Sequence, residues 1–524
     1  MTEVAVDRPD DFDAIIVGGG HNGLVCGAYL ARAGRRVLVV EARDTVGGCA
    51  GTDHAVGAKV NLCNCDHAMV RSVPLVEELQ LDRRGLTYLD LTPSMLGLGW
   101  DAPGPIAIFH EVEQTLEVLA VSHPHEVDNY RRYAQVAVPA AQLLTEMASA
   151  PPSAAGLLRR AIGRNSRAAI TLAQWSRRSV GDVLRSYFTS DGLLGPAMAA
   201  GPAVWGLSPE TPGTGLGALA WAFKHVLHTG RPIGGSGALT DAIAASLKSF
   251  GGSIVTGAPV ATILCEGASV VGVETADGRS FRAPTVVVAS DPREAIVRYL
   301  SNPPSSAKDF VDKWRNRTPQ EGYESKIDAR ISAVPTWRYH DDRYSNAGLA
   351  DPSSASTLVA PPLSEIHRGF ELMQRGQILE RPMLFVNVPS INDPTLAPAG
   401  EHVLSIEVLF TPYSFTGGWE DASEPERWLD VTSTLFAPGF TDSILDWRAM
   451  TPAVYERDLH LPKGHATSFA GGPLAAILGR DRELTRYLTP IDGLFVTGAA
   501  TFPGAGVWGA SGRNAATVIL DRTS

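Results

Sequence analysis

The feature that most constrains the fold is a glycine-rich turn that directly follows a short apolar run near the start of the chain. Residues 13–17 read Asp-Ala-Ile-Ile-Val, which has the length and composition of a buried strand. They lead into Gly-Gly-Gly-His-Asn-Gly at 18–23, which fits the pattern G-x-G-x-x-G. A helical segment of small and apolar residues (24–33) and a second apolar strand (36–40) follow. Together these segments predict one β-α-β unit of a dinucleotide-binding α/β domain.

Each glycine of the pattern has its own physical task. Gly18 permits the tight turn, Gly20 lets the backbone approach a pyrophosphate, and Gly23 lets the helix pack closely against the strand. The N-terminus of the helix presents free N–H groups and a positive dipole end to the phosphates. Glu41 ends the second strand, eighteen residues after Gly23, where its carboxylate can accept hydrogen bonds from ribose hydroxyls.

The segment after Glu41 favours FAD over NAD as the cofactor. Arg43 and the doublet Gly47-Gly48 resemble the extended fingerprint of FAD-binding oxidoreductases, which NAD dehydrogenases generally lack. The two glycines let the backbone pass close to the phosphates and ribityl chain, where a Cβ would collide. Arg43 is expected to neutralise phosphate charge, and an exposed structural arginine is the alternative.

Two further glycine-rich clusters predict that later parts of the chain return to the same domain. Residues 231–237 precede a helical pattern at 238–250 and strand candidates at 253–255, 259–264, 270–275 and 285–289. Residues 498–506 follow a strand-like segment and precede a helix of small residues at 510–520. We therefore predict an α/β fold with an α+β insert: a discontinuous Rossmann-like FAD-binding domain (10–80, 230–300 and 480–524) and a substrate-binding domain (81–229 and 301–479).

The three clusters, in this order, resemble the phytoene-desaturase-like flavoproteins, which are related to the flavin amine oxidases. The segment GAATFPGAGVWGASGRNAA, residues 498–516, is similar to the family's Gly-Ala-Gly-Thr-His-Pro-Gly-Gly-Gly ending. Its Gly-Arg-Asn-Ala-Ala part is closer to the group named pyridine nucleotide-disulphide oxidoreductase domain-containing protein 2 than to the carotenoid desaturases. The chain departs from the family at Phe502, in place of a histidine, and at Gly464-His465-Ala466-Thr467. We therefore expect a substrate that differs from those of familiar relatives.

The resemblance implies a set of FAD contacts. It places the adenosine diphosphate and ribityl parts at Gly18, Gly20, Gly23, Glu41, Arg43, Gly47 and Gly48. Val260 is expected on the adenine side and Gly498 at the ribityl phosphate. The loop at Gly506 and the helix after it are expected at the pyrimidine edge of the flavin, with Val507 and Trp508 close to the ring. A helix N-terminus at that edge can stabilise the negative charge of a reduced flavin.

The expected reaction removes hydride from a carbon of a largely apolar small molecule to flavin N5, with loss of a proton that leaves a C=C or C=N bond. Gly213, Gly215 and Gly217 have the wrong spacing for a second dinucleotide fingerprint, so oxygen, a quinone or a protein partner is favoured over NAD as electron acceptor. An amine oxidase that releases hydrogen peroxide is one alternative. A flavin-binding interaction protein without enzymatic activity is another.

Candidate catalytic side chains are His67, His465 and Trp508, which fall near segments that could line the substrate face. For each of them, packing or a satisfied polar group is the alternative. The pair in Cys63-Asn64-Cys65 could serve a metal or a cysteinyl-flavin link, but two cysteines at that spacing are too few ligands for zinc. Packing of buried thiols is the simpler interpretation, and we predict no metal site.

Two segments of the predicted insert allow two interpretations each. An arginine-rich stretch, 159–185, has apolar residues between its arginines and could lie on an anionic membrane or form a solvated helical face. Its residues are Arg159, Arg160, Arg164, Arg167, Arg177, Arg178 and Arg185 with Leu157, Leu158, Ile162, Ile170, Leu172 and Trp175. The nearly uncharged stretch 192–222 could be the wall of an apolar substrate tunnel or core helix packing.

Composition excludes several classes of protein. The formal net charge is -11, which argues against a nucleic-acid binder, because such proteins normally carry a basic surface. Five cysteines without a CxxC pair do not form a disulfide framework and fit a reducing compartment. The acidic first residues lack the pattern of a signal peptide, and prolines and glycines interrupt the longest uncharged stretch. We therefore expect a cytoplasmic protein, with peripheral membrane contact left open.

Overall fold

The computed structural model describes residues 12–63, 66–466, 479–504 and 506–523. Within these ranges the strands are, in chain order, β1 (Ala14–Val17), β2 (Val37–Val40), β3 (Thr52–Ala55), β4 (Ala58–Asn61), β5 (Tyr88–Asp90), β6 (Met95–Gly99), β7 (Ile106–Ile108), β8 (Gly230–Pro232), β9 (Ser253–Val255), β10 (Val260–Glu266), β11 (Ser269–Thr275), β12 (Ser280–Arg282), β13 (Val286–Val288), β14 (Leu300–Ser301), β15 (Glu324–Ile331), β16 (Thr357–Ala360), β17 (Leu384–Asn387), β18 (His402–Leu409), β19 (Ile444–Met450) and β20 (Leu494–Val496).

The α-helices of the same ranges are, in chain order, α1 (His21–Arg32), α2 (Leu75–Glu78), α3 (Val112–Ser122), α4 (Val127–Ala148), α5 (Ala154–Ala161), α6 (Ser166–Trp175), α7 (Val180–Arg185), α8 (Asp191–Ala199), α9 (Ala220–Val226), α10 (Gly237–Ser249), α11 (Pro292–Glu294), α12 (Lys308–Asn316), α13 (Asp342–Asn346), α14 (Leu363–Gln374), α15 (Glu424–Ser433), α16 (Pro452–Leu459), α17 (Arg482–Thr485) and α18 (Ala510–Thr523). Several short 3-10 turns connect them.

A parallel sheet carries the glycine-rich turn. Its strand order is β20-β13-β1-β2-β9, and Ile16 at its centre pairs with Val39 on one side and Val287 on the other. The three inner strands are buried throughout, which explains why they read as uninterrupted apolar runs. Helices α1, α10 and α18 supply residues to the core on one face of this sheet. The sheet is thus assembled from an early, a middle and a late segment of the chain.

A small sheet, antiparallel except for the pairing of β10 with β14, covers the other face of the parallel sheet. Its strand order is β12-β11-β10-β14. Residues from both sheets share one buried cluster, which includes Ile15 and Val288 of the parallel sheet and Ile263, Val273 and Phe281 of the small sheet. This packing sets β10, which begins at Val260, beside the end of β2.

A seven-stranded mixed sheet forms the base of the rest of the molecule, in the order β19-β15-β18-β17-β16-β6-β7. Strand β15 alternates charged residues with apolar or small ones, so the two kinds point to opposite faces. Ile327, Ala329 and Ile331 of its apolar face are fully buried in one core cluster. Helices α3, α4 and α6 to α9 contribute to a second core over the edge of the sheet that contains β6 and β7.

The arginine-rich stretch spans the end of α5, all of α6 and α7 and the turns between them. The side chains of Ile162 and Ile170 are 61% and 56% exposed, whereas Leu172 and Trp175 are buried. The side chains of Leu157, Leu158 and Arg164 lie outside the described residues. Within the described ranges, no helix combines the length and the apolar character that a membrane span requires.

The nearly uncharged stretch 192–222 packs in the helical core and also lines a cavity, and its role as the wall of a substrate tunnel stays a prediction. It forms α8, two 3-10 turns and the start of α9, and Leu193, Met198 and Trp221 are buried in the helical core. Ala200, Val204, Trp205 and Ala220 of the same stretch line a cavity. One side of this stretch therefore belongs to the core, and the other side faces the cavity.

Candidate functional site

A cavity of about 580 Å³ lies between the parallel sheet and the seven-stranded sheet. That volume falls within the range of about 300–1,000 Å³ that is usual for ligand pockets. One wall is formed by the glycine-rich turn and by the ends of β1, β2 and β13. The opposite wall is formed by the polar face of the mixed sheet and by α9 and α16. The two predicted functional parts of the chain therefore meet at a single space.

The glycine-rich turn is held open toward this cavity. The Gly19 N–H donates to Glu41 Oε2 at 2.6 Å, and the Arg43 N–H donates to Glu41 Oε1 at 2.9 Å. A Cβ on Gly23 would lie 2.1 Å from the Gly18 carbonyl oxygen, so only glycine allows α1 to approach β1 this closely. A Cβ on Gly20 would meet nothing within 4 Å, which leaves open space in front of the turn. This open space is what a pyrophosphate needs.

Other predicted cofactor residues surround the same space. Glu41, Arg43, Gly48, Val260, Gly498, Gly506 and Val507 all line the cavity, together with Gly18 and Gly20. Gly47 supports the glycine-rich turn instead, since its N–H donates to the Gly19 carbonyl at 2.9 Å. It adopts a φ of 119°, which favours glycine. Among the described residues, Nη1 of Arg43 and Oγ of Ser290 are buried without hydrogen-bond partners. Such unpaired donors on the wall fit a phosphate-bearing cofactor.

Two of the three predicted catalytic residues, His67 and Trp508, form hydrogen bonds with other side chains of the protein. His67 Nδ1 is 2.9 Å from the Tyr88 hydroxyl and Nε2 is 2.6 Å from Ser236 Oγ. Burial lowers the pKa of His67 to about 3. The Trp508 indole N–H donates to Ser72 Oγ at 3.2 Å, and its ring packs in the core beside α1. Neither side chain is among those that line the cavity, and their catalytic roles stay predictions.

His465 differs from them because it does line the cavity. Its ring meets the Tyr323 ring edge to face at 5.8 Å, and neither ring nitrogen forms a hydrogen bond with the described residues. Burial lowers the pKa of His465 to about 4, although the nearby backbone of Glu321 partly opposes this. The imidazole is therefore neutral near pH 7. Thr467, which follows in the same segment, lies outside the described residues.

A half-buried pair of carboxyl groups, Glu324 and Glu407, also lines the cavity. In the pairing of β15 with β18, Lys326 stands opposite Glu407 and Glu324 is two residues away on the same face. Burial raises the pKa of both groups, most strongly that of Glu324, whose neighbour Glu407 raises it further. Lys326 lowers the pKa of Glu407 in part, so we assign the proton to Glu324 and the charge to Glu407.

The alternation of charge along β15 is a sequence signal for this pair that the motifs do not include. Glu324, Lys326, Asp328 and Arg330 occupy every second position of the strand, which marks one polar face. The Lys326 ammonium donates to the Asn61 carbonyl at 2.5 Å and contacts the fully buried Asp328. What the alternation could not reveal is that this polar face turns toward a cavity instead of toward solvent.

The cysteines form no metal site in the described part of the chain. Cys49 and Cys63 both line the cavity, and the Cys63 thiol donates to the Cys49 sulfur, which lowers the pKa of Cys49 and raises that of Cys63. Cys65 lies outside the described residues. No group of three or more histidine, cysteine or acidic residues within those ranges could hold a metal ion.

Comparisons with known proteins agree with this arrangement. Residues 16–72 match the family model described as an NAD(P)-binding Rossmann-like domain, and residues 82–319 match the model described as flavin containing amine oxidoreductase. The chain is 28% identical to pyridine nucleotide-disulfide oxidoreductase domain-containing protein 2 of Rattus norvegicus, an alignment that covers 97% of this chain and 93% of that protein. It is 24% identical to one of the limonene dehydrogenase chains of Castellaniella defragrans, with 97% and 94% covered.

A solved structure shows the same architecture. Cyclohexylamine oxidase from Brevibacterium oxydans superposes with a TM-score of 0.60 at 17% identity, covering 98% of this chain and 99% of that one. At this identity the likeness concerns the fold alone. The prediction of a Rossmann-like cofactor domain joined to an insert of the flavin amine oxidase and phytoene desaturase type is confirmed.

Replacing Glu41 with alanine is expected to remove bound FAD. The change would eliminate the acceptor for the Gly19 and Arg43 amides and the predicted acceptor for the ribose hydroxyls. The measurement is the molar ratio of FAD released on denaturation to protein, with the exposed neighbour Asp44→Ala as the matched control. Retention of a full complement of FAD by Glu41→Ala would contradict the assignment.

Replacing Glu324 with glutamine is expected to flatten the dependence of stability on pH. The folded protein holds the Glu324 proton more tightly than the unfolded chain, whose pKa is near 4.5. The stability that this group contributes is therefore complete below that pKa and is lost as the pH rises through the raised value. Melting temperatures between about pH 5 and about pH 8 should fall less steeply for Glu324→Gln than for the wild type.

The matched control for that measurement is Glu117→Gln, since the Glu117 side chain on α3 is exposed. This control should keep the slope of the wild type. Equal slopes for Glu324→Gln and the wild type would show that the Glu324 carboxyl is ionised in the folded protein.

Proposed function

We propose that this chain, an FAD-dependent oxidoreductase of the flavin amine oxidase and phytoene desaturase type, dehydrogenates a largely apolar small molecule. Bound FAD supplies a hydride acceptor at N5, so that loss of hydride and a proton leaves a C=C or C=N bond in the product. The observation that carries the proposal is the single cavity shared by the glycine-rich turn and the mixed sheet. The predicted cofactor residues and the apolar side chains of the opposite wall face this same space.

The apolar character of the substrate is inferred from the wall next to the helical core. Met95, Ala200, Val204, Ala220 and Phe385 line this part of the cavity. Side chains of this kind stabilise a bound hydrocarbon by excluding water and offer it few hydrogen bonds. The name of the Castellaniella relative, a limonene dehydrogenase, supports the same substrate class.

We assign the cofactor contacts as the sequence predicts them, except at Gly23 and Gly47. Gly18, Gly20 and the N-terminus of α1 would receive the pyrophosphate, Glu41 the ribose hydroxyls, and Arg43 a phosphate oxygen. Val260 would contact the adenine, Gly48 and Gly498 the ribityl phosphate region, and Gly506 and Val507 the pyrimidine edge of the flavin. Gly23 and Gly47 would shape the turn without contacting the cofactor.

Glu407 is the group that we expect to hold the proton lost from the substrate. A carboxylate whose pKa is raised by burial is a stronger base than an ordinary one, because its charged form is poorly solvated. His465 is a weaker base, with a pKa near 4, and we assign it a hydrogen bond to the substrate. The protonated Glu324 would stabilise the Glu407 carboxylate until the proton arrives.

An amine is the second candidate substrate, and the carboxyl pair is the observation that favours it. One negative charge on Glu407 would attract a protonated amine, whose oxidation with oxygen as acceptor would release hydrogen peroxide. The fold shared with cyclohexylamine oxidase is compatible with this alternative. Oxygen or a quinone is the acceptor that we propose in either case.

Anaerobic reduction of the bound flavin tests the proposal directly. Apolar cyclic alkenes and alcohols should bleach the visible absorption of FAD in the purified protein, and primary amines should not. Glu407→Gln should slow bleaching by about tenfold or more with its FAD content unchanged. Glu371→Gln, an exposed control, should react like the wild type. Bleaching by amines with peroxide release in air would instead establish the amine oxidase.

The basic surface of α5 and α6 supports a finer proposal, that the protein docks on an anionic membrane. Residues 151–181 contain six arginines and no acidic residue, although the whole chain carries a net charge of -11. Exposed Ile162 and Ile170 stand among these arginines. Each basic residue near an anionic surface contributes about 1 kcal/mol, so the group can hold the protein there reversibly.

Sedimentation with vesicles tests this docking. The protein should pellet with vesicles that contain phosphatidylserine and remain in solution with pure phosphatidylcholine. The double variant Ile162→Ser, Ile170→Ser should bind less, because it loses the apolar contribution. Equal sedimentation with both vesicle types would exclude an electrostatic membrane contact.

A further inference from the structure

A second charged cluster, distinct from the carboxyl pair, lies on the cavity wall. It consists of Asp66 and Lys224 (on α9), which line the cavity, and of Arg231 on β8, which pairs with Asp66. Arg231 Nε donates to Asp66 Oδ1 at 2.7 Å, and the two side chains are only 3% and 12% exposed. Arg231 Nη2 also donates to Ser356 Oγ at 3.2 Å. Asp66 thus already forms an ion pair with the buried Arg231.

Lys224 is the second cation of this cluster, and it lines the cavity. Its ammonium has a weak hydrogen bond to Thr229 Oγ1, at 3.4 Å. Among the described residues, no carboxylate lies within 4.0 Å of Lys224 Nζ. Burial lowers the pKa of Lys224, and the charge of Asp66 opposes this only in part.

The balance of charge in the cluster is therefore positive. Asp66 faces both Arg231 and Lys224, and the nearby His67 and His21, with pKa values near 3 and 4, are neutral at pH 7. An uncompensated positive charge in a partly buried cavity is costly, because the medium solvates it poorly. A ligand that brings a negative charge would remove this cost.

The surroundings of Lys224 indicate what the rest of such a ligand should be. Ala220 lies one helical turn before it on α9, and Val204, Trp205 and Met95 line the same cavity. Trp205 is 42% exposed, so this part of the wall reaches the surface. A molecule that enters here meets apolar side chains along its length and one cation at the wall.

We propose that the cavity binds an amphipathic substrate by its carboxylate, with Lys224 as the counter-charge and the apolar wall around Val204 and Met95 as the seat of its hydrocarbon part. The inference rests on the proposed function, because it takes the same cavity to hold the substrate. Lys224 then acts as a specificity-determining residue, since it selects the acid over a neutral or cationic molecule of equal length.

Calorimetric titration of the FAD-loaded protein with three probes of equal chain length tests the proposal without turnover. Octanoate should bind more tightly than octanol, and octylamine should bind least. This comparison uses only the wild type, so it does not depend on the folding of any variant. Equal affinities for octanoate and octanol would overturn the proposal.

Variants then locate the effect at Lys224. Lys224→Met should weaken octanoate binding by about tenfold to a hundredfold, as expected for loss of a charge-assisted contact, and leave octanol binding unchanged. Lys224→Arg should keep most of the affinity for octanoate. Lys308→Met, at an exposed position on α12, should match the wild type.

Two outcomes would assign Lys224 another role. If Lys224→Met binds octanoate like the wild type but its flavin has a changed reduction potential, the lysine compensates charge on the cofactor, and the substrate proposal is wrong. If no compound bleaches the flavin while octanoate still binds through Lys224, the proposed dehydrogenation fails and the carboxylate site stands.

Discussion

The hydrogen bond from the Gly19 amide to the Glu41 carboxylate joins the ends of the first two strands, and much of the cofactor side depends on it. It fixes the glycine-rich turn against β2 while the second carboxylate oxygen holds the Arg43 amide. The turn in turn sets the start of α1, whose approach to β1 requires glycine at position 23. One buried carboxylate therefore determines where the pyrophosphate site, the helix and the next loop lie relative to each other.

The sequence predicted this half of the molecule well because its determinants are local. A strand, a glycine-rich turn, a helix and an acid at the end of the next strand lie within about thirty residues, and each has a separate physical reason. Strands β10, β11 and β13 were expected within a residue or two of where they occur. Val260, Gly498 and Gly506 come from distant segments, and only the family resemblance placed them together at the cavity.

The substrate side was much harder to predict because it depends on pairings between distant strands. Glu324 and Glu407 become neighbours only through the register of β15 with β18, and Asp66 meets Arg231 across a still longer separation. His67, a histidine near the cofactor segments, is hydrogen-bonded to Tyr88 and Ser236, which the sequence did not indicate, and its catalytic role stays a prediction. A sequence pattern identifies residue types, but their direction relative to a cavity is a property of the tertiary structure.

The order of the strands in the parallel sheet has a consequence for biosynthesis. Strand β20 and helix α18 complete the sheet and its core, yet they leave the ribosome after β1 to β19. Until then β13 has an unpaired edge, and the apolar face of α1 that packs against α18 has no partner. The nascent chain must therefore keep these surfaces from aggregating for most of its synthesis, which predisposes it to chaperone binding. Gly498 and Gly506, between β20 and α18, line the cavity, so its wall is complete only after these residues have been made.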